Sequence, residues 1–202
     1  DRLVRIAPGP EARLVDERRQ AAARSLFFTA GLLDAMAAFD AAGIEALSFK
    51  GLLLSETVFG GPDIRTFGDI DILVPKRQLE FAVRLLMDRG YRLPGGVALA
   101  DYLGVTLRGG HHLVLQHEKR GLVVELHWEM SGRYLPVELD FAAVAPFLER
   151  VRFQGRDLWN LGPEIAPLYL RVHGAKEYWR ILDHAVCVAW QVERRPPDWA
   201  AM

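Results

Sequence analysis

Cysteine is almost absent from this sequence. The single thiol, Cys187, excludes an internal disulfide and any multi-cysteine metal site, and a reducing cytoplasm is the simplest compartment that follows. Net charge is nearly absent too: 25 Lys and Arg stand against 26 Asp and Glu. That balance excludes a uniformly basic coat, so extended nucleic-acid binding is not expected, although a small local patch is compatible with it. No run of about 18 apolar residues occurs, and DRLVRIAPGP at the start lacks an apolar leader. No membrane association is therefore expected. Repeats and low-complexity tracts are missing as well.

What is present is an ordinary globular composition. Half of the 202 residues are apolar and 25% are charged, enough for one sizeable core. The chain begins at Asp1 and closes on RRPPDWAAM, which reads as the start of a new segment, so the natural protein is expected to be longer. The composition leaves the oligomeric state open.

Pro10 and Gly43 bracket a long helix from about Pro10 to Ala42, with Phe28, Leu32, Met36 and Phe39 on its apolar face. A short strand over Ile44–Phe49, an exit at Lys50-Gly51, a brief helix over Leu52–Phe59 and a loop at Gly60–Asp63 follow. DIDILV (Asp69–Val74) reads as a strand, and Pro75–Arg89 as a helix with Leu79, Val83 and Leu86 inward. The apolar runs His112–His117 and Leu122–Trp128 flank EKRG as a hairpin. Beyond about residue 130 helices are expected to dominate. Leu168, Val172, Ala175, Trp179, Leu182, Val186 and Ala189 recur at helical period, with Gly174 as a candidate break. The expected fold class is α/β (α+β). Residues 1–43 form a helical segment, 44–130 an α/β core and 131–202 a helical lobe, together one compact unit.

The chemistry concentrates in the carboxylates. On a strand, residues two apart share a face, so Asp69 and Asp71 project together while Ile70 and Ile72 point inward. Such a pair repels unless a cation lies between, and a hard divalent ion such as Mg²⁺ meets that need. Glu125 and His127 share a face of the second apolar strand. If the two strands are neighbours, Asp69, Asp71 and Glu125 form one acidic cluster of the kind that serves phosphoryl transfer. Solvated carboxylates on an edge strand are the plainer alternative. As an exposed metal ligand, Asp71 is expected to contribute little to the core.

Lys50-Gly51 would let a phosphate approach the backbone closely beside free helix amides. The expectation for Lys50 is that it projects toward the acidic cluster and meets a triphosphate; a structural ion pair with Asp69 or Asp71 is the alternative. Arg65 suits a triphosphate, or equally a bridge to Asp63 or Asp69. His127 suits orienting a carboxylate or touching an acceptor. His111 and His112 suit a loop near the site or an exposed turn. His173, Lys176 and Glu177 share a helical face; Lys176 could reach phosphate, but a solvated face with an intrahelical ion pair is preferred. Cys187 reads as inert core, and Arg18-Arg19 and Arg194-Arg195 as surface.

At these residues the chain resembles the polymerase-β-type nucleotidyltransferase superfamily, and within it the bacterial branch of uncharacterised nucleotidyltransferases. Phe49-Lys50-Gly51, Arg65–Val74, Gly90-Tyr91, Val124-Glu125-Leu126-His127-Trp128, Val172–Lys176 and Asp183 carry the resemblance. It departs from the wider superfamily in placing Lys50-Gly51 where Gly-Ser or Gly-Gly is usual. The resemblance implies a short mixed sheet with flanking helices. It implies Asp69, Asp71 and Glu125 as catalytic, metal-holding residues for Mg²⁺ or Mn²⁺, with Lys50, Gly51, Arg65, His127 and Lys176 around the nucleotide. The implied reaction moves an NMP group from an NTP, ATP being the expected donor, to a small molecule, peptide or protein. The competing functions are a toxin-like transferase acting on RNA such as a tRNA end, and a nucleotide-binding module without turnover.

Overall fold

The computed structural model describes residues 9–132, 135–198 and 200. Helix α1 (Pro10–Ala41) leads into β1 (Leu47–Ser48), then α2 (Gly51–Leu54), which continues as a π turn over Ser55–Phe59. Strand β2 (Ile70–Leu73), a 3₁₀ turn (Lys76–Gln78) and α3 (Leu79–Asp88) follow, then β3 (Tyr91–Arg92) and α4 (Leu99–Gly109). The hairpin of β4 (His112–His117) and β5 (Val123–His127) closes the sheet. The remainder holds the short α5 (Phe141–Val144), a second hairpin of β6 (Leu148–Phe153) and β7 (Arg156–Leu161), and helices α6 (Ile165–Lys176) and α7 (Leu182–Arg194).

The five-stranded sheet runs β1-β2-β5-β4-β3. Only β2 and β5 pair in parallel; the other neighbours are antiparallel. Its two faces feed two cores. Ile70, Ile72 and Val74 pack with Phe28, Leu32, Met36 and Phe39 of α1 and with Val83 and Leu86 of α3. Leu47 and Leu73 turn the other way, onto Ile165, Tyr169 and Leu170 of α6 and Cys187 of α7. The two-residue period of the strands thus divides apolar residues between two layers. Helix α1 is long and apolar enough to cross a membrane by length and composition, although the sequence shows no unbroken apolar run; half of its most apolar stretch is buried inside the protein.

Close helix-to-sheet approach makes one glycine critical. A Cβ on Gly31 would lie 2.1 Å from Leu122 Cδ2 and 3.4 Å from Ile70 Cδ1, and Leu122 is itself buried in the first core. Gly31→Val is expected to lower unfolding free energy by about 1–3 kcal/mol through overpacking, read from urea denaturation; an unchanged midpoint would mean that α1 can lift from the sheet without loss.

Two features depart from the sequence expectation. Strands β6 and β7 occupy much of the segment expected to be mainly helical. Their two-residue connection, Gln154-Gly155, has φ of 46° and 84°, the positive pair that matches the twist of a tight hairpin. The seam beyond residue 165 also differs. Leu182, at 78%, and Trp179, at 45%, are exposed; Val172 is buried as expected, and the other buried positions include Ile165, Tyr169, Leu170, His184, Cys187 and Gln191. The helix breaks after Lys176, not at Gly174, because Tyr178 and Trp179 take positive φ (55° and 53°). Gly174 stays helical and seats the Trp179 ring, which a Cβ there would meet at 2.5 Å.

Candidate active site

The parallel pairing of β2 with β5 puts Asp71 opposite Glu125 and Leu73 opposite His127. The antiparallel pairing of β4 with β5 puts His112 opposite His127. Period-two alternation therefore gathers Asp71, Glu125, His127 and His112 on the face that looks toward α6, while Val124 and Leu126 fill the first core. The neighbouring strands that the carboxylates required are present. Ligand atoms of Asp71, Glu125 and His127 all lie within 4.8 Å of one another. Asp69 stands on the bend just before β2 and lines the same cavity of about 140 Å³ with Lys50, Gly51, Arg65, Asp71 and His173.

Asp71 is the centre of this group, and it is buried, at 3% exposure. The expectation of an exposed side chain with little part in the core is corrected accordingly. Its Oδ1 accepts from Lys50 Nζ at 2.7 Å and from His127 Nε2 at 3.1 Å. His127 Nε2 also lies 3.4 Å from Glu125 Oε2, so His127 sits between the two carboxylates, the orienting position. Lys50 projects toward the acidic cluster, and its partner is Asp71, the ion pair named as the alternative.

The electrostatics follow from burial and these partners. Burial pushes the Asp71 carboxyl up, but Lys50 and His127 outweigh it and hold it down at about 2. Burial and the Asp71 charge push Asp69 the opposite way, up to about 6. The hydrogen bond from His127 lowers Glu125. Burial works against the charge on His127, and its bonds to Asp71 and Glu125 overcome this and raise it. Burial and the neighbouring His112 push His111 down to about 4; His112 falls to about 4 through burial and His127.

Lys50 holds its place at a backbone cost. Its φ of 53° and ψ of −150° lie in a region open to glycine and rarely to other residues. The bond to Asp71 compensates that cost. Gly51 also has positive φ, 44°, and a Cβ there would meet nothing nearer than Asp69 O at 4.0 Å.

The donor set fits a hard divalent cation. Two neighbouring carboxylates and a third on the adjoining bend offer oxygen ligands, and the Lys50 ammonium against Asp71 already shows that the site stabilises positive charge. Asp71, Glu125 and His127 form the group whose ligand atoms are close enough to hold a metal ion, and Asp69 lines the adjoining cavity.

Arg65 pairs with neither Asp63 nor Asp69. Its guanidinium grips Asp183 of α7 through Nε to Oδ1 at 3.3 Å and through a second bond from NH2 to Oδ2. Ser55 fastens the same loop: its hydroxyl donates to Gly61 O at 2.6 Å and accepts from Arg65 N at 3.3 Å. A double-mutant cycle on Arg65→Ala and Asp183→Ala is expected to give a coupling of about 1 kcal/mol, limited because Asp183 is half exposed; additive losses would mean the bridge carries no energy of its own. Lys176 lies 3.9 Å from Glu177, while His173 of the same face reaches the cavity. Sequence reasoning missed Tyr169, which is buried and packs edge-on to Phe49 at 5.2 Å. Its one signal was its place within an apolar helical run.

A short mixed sheet, flanked by helices, thus presents paired carboxylates from adjacent parallel strands. The chain belongs to the uncharacterised nucleotidyltransferase family, whose profile matches residues 3–202. Its fold is similar to the crystal structure of ANT(2")-Ia in complex with adenylyl-2"-tobramycin, with a TM-score of 0.56 and 11% identity over 82% of this chain and 87% of that one. The solution structure of ANT(2'')-Ia gives 0.55 and 10%, over 85% and 84%. The lincosamide antibiotic adenylyltransferase LnuA, lincomycin-bound, gives 0.52 and 15%, over 83% and 94%. No curated protein matches the sequence.

Proposed function

We propose that this nucleotidyltransferase transfers an NMP group, AMP from ATP by expectation, to a hydroxyl-bearing small molecule, peptide or protein, and that Mg²⁺ or Mn²⁺ held by Asp69, Asp71 and Glu125 is required. The observation that carries this reading is the parallel register that sets Asp71 against Glu125 beside Lys50. A divalent ion bound there neutralises phosphate charge and lowers the pKa of an acceptor hydroxyl. The acceptor oxygen forms a bond to the α-phosphorus, the bond from that phosphorus to the β-bridging oxygen breaks, and pyrophosphate leaves.

The chain's own residues have separate parts in this scheme. His127 keeps Asp71 and Glu125 oriented through Nε2. Lys50 and Arg65 offset charge on the β- and γ-phosphates. Gly51 leaves room for a phosphate against the backbone, and Lys176 extends the positive field from α6. A triphosphate brings roughly four negative charges to three carboxylates, more than two divalent ions cancel, so cationic side chains are needed.

A second reading has one observation in its favour. Lys50 occupies the bonding position on Asp71 at 2.7 Å, as it would in a nucleotide-binding module without turnover. Incubation with each NTP and Mg²⁺ in the presence of aminoglycosides, lincosamides, tRNA or the protein alone, followed by mass spectrometry and pyrophosphate assay, separates them. A mass increase of one NMP on any acceptor, with stoichiometric pyrophosphate, is expected; nucleotide binding with no pyrophosphate across all acceptors would favour the module.

A further inference from the structure

Three histidines meet where β4 and β5 begin and end. His112 opposes His127 in the antiparallel register, and His111 precedes it at the strand's mouth. A ring nitrogen from each of His111, His112 and His127 lies within 4.8 Å of the other two. The ring centroids are 4.5 Å apart for His111 and His112 and 4.9 Å for His112 and His127. Each ring also has a buried nitrogen without a hydrogen-bond partner: His111 Nε2, His112 Nδ1 and His127 Nδ1. Buried polar atoms are rarely left unpaired, and each ring of this cluster carries one.

We propose that His111, His112 and His127 form a site for a borderline divalent transition metal of the zinc type, which adjoins the carboxylate site and shares His127 with it. The arrangement around His127 is the strongest point. A carboxylate can only accept, so the bond to Asp71 at 3.1 Å puts the proton on His127 Nε2. When a metal binds, Nδ1 gives up any proton it carries and presents its lone pair. A metal-ligating histidine characteristically donates its other ring N–H to a carboxylate in this way, and Asp71 is that carboxylate. Three neutral imidazoles suit Zn²⁺, Co²⁺ or Ni²⁺ and are poor ligands for Mg²⁺, whereas the carboxylates next to them have the opposite preference. In the structure the His112 ring stacks on His127 at 25°, so binding turns the half-buried His112 edge-on. Three protein ligands leave a fourth position for water or a substrate atom.

The test uses Co²⁺ alone, read by visible d–d absorption, with Zn²⁺ as competitor. One equivalent of Co²⁺ is expected to give an intense four-coordinate spectrum that Zn²⁺ abolishes. His111→Ala and His112→Ala should each weaken Co²⁺ binding by about tenfold or more, since even an outer partner's loss costs that much, and together they should remove the spectrum. Far-ultraviolet dichroism without metal should match the parent. No spectrum in the parent would overturn the site, as would a spectrum that survives both substitutions but disappears in Glu125→Gln. If the double variant does not fold, X-ray absorption of the Co²⁺-loaded parent decides: three imidazole ligands support the site, and fewer than three overturn it.

Discussion

Asp71→Asn is expected to lower turnover by about a thousandfold or more and to destabilise the metal-free protein by about 3–5 kcal/mol. The first loss follows from removing a charge that acts directly on the reacting phosphate. The second follows from burial. Asp71 is almost inaccessible, and its side chain neutralises Lys50 at 2.7 Å and holds His127 at 3.1 Å. Taking away one member of a buried pair leaves the other charge without compensation. Asparagine retains an acceptor oxygen but no charge, so Lys50 keeps a hydrogen bond and loses its counterion. Urea denaturation with chelator present, beside single-turnover assays on the folded fraction, measures both. A normal midpoint would mean that Lys50 escapes to solvent and that the pair is not structural.

Lys50 gives the second large effect, and here side chain and backbone can be separated. Lys50→Ala removes the cation and keeps the strained φ of 53°; Lys50→Gly removes both. Either variant is expected to bind nucleotide at least about tenfold more weakly, the loss of one charge-assisted hydrogen bond. Without metal both lose stability, because Asp71 is left buried with only His127 as partner. Lys50→Gly should nevertheless be more stable than Lys50→Ala by about 1 kcal/mol or more, the scale of strain stored in that backbone region. Mg²⁺ near 100 times its dissociation constant should restore about 2.7 kcal/mol to either, because it binds only the folded site. Calorimetric titration with ATP and melting curves with and without Mg²⁺ read these effects. Unchanged nucleotide affinity would take Lys50 out of the site and leave it only the ion pair.

Much of this was legible in the sequence because strands declare their faces. DIDILV and VVELHW each alternate, and alternation alone placed Glu125 with His127 and Ile72 with the core. The bounds of α1 were legible from Pro10 and Gly43, and the β4–β5 hairpin from two apolar runs around a polar turn. Three kinds of feature were not. Small elements such as β3 carry too few residues for a period to show. Strands β6 and β7 were hidden because β6, LERVRF, holds three charges and buries mainly Phe153; Gln154-Gly155 was their one signal. Contacts between remote positions were invisible altogether. Arg65 finds Asp183 across 118 residues, and the burial of Asp71 depends on α6, which carries Tyr169, lying over the sheet. The proximity of His111 and His112 to His127 likewise needed the register of the hairpin, not just its existence.

The central claim is that one carboxylate cluster holds the metal on which nucleotide binding depends. Calorimetric titration of Mg²⁺-ATP into the parent and into Glu125→Gln tests it most directly, because Glu125 is partly exposed, at 23% of its side chain, and the change is isosteric. The account predicts binding in the parent that chelator abolishes, and an affinity at least about tenfold lower in Glu125→Gln with an unchanged melting temperature. Equal ATP affinity in both proteins, or binding that persists in chelator, would contradict it.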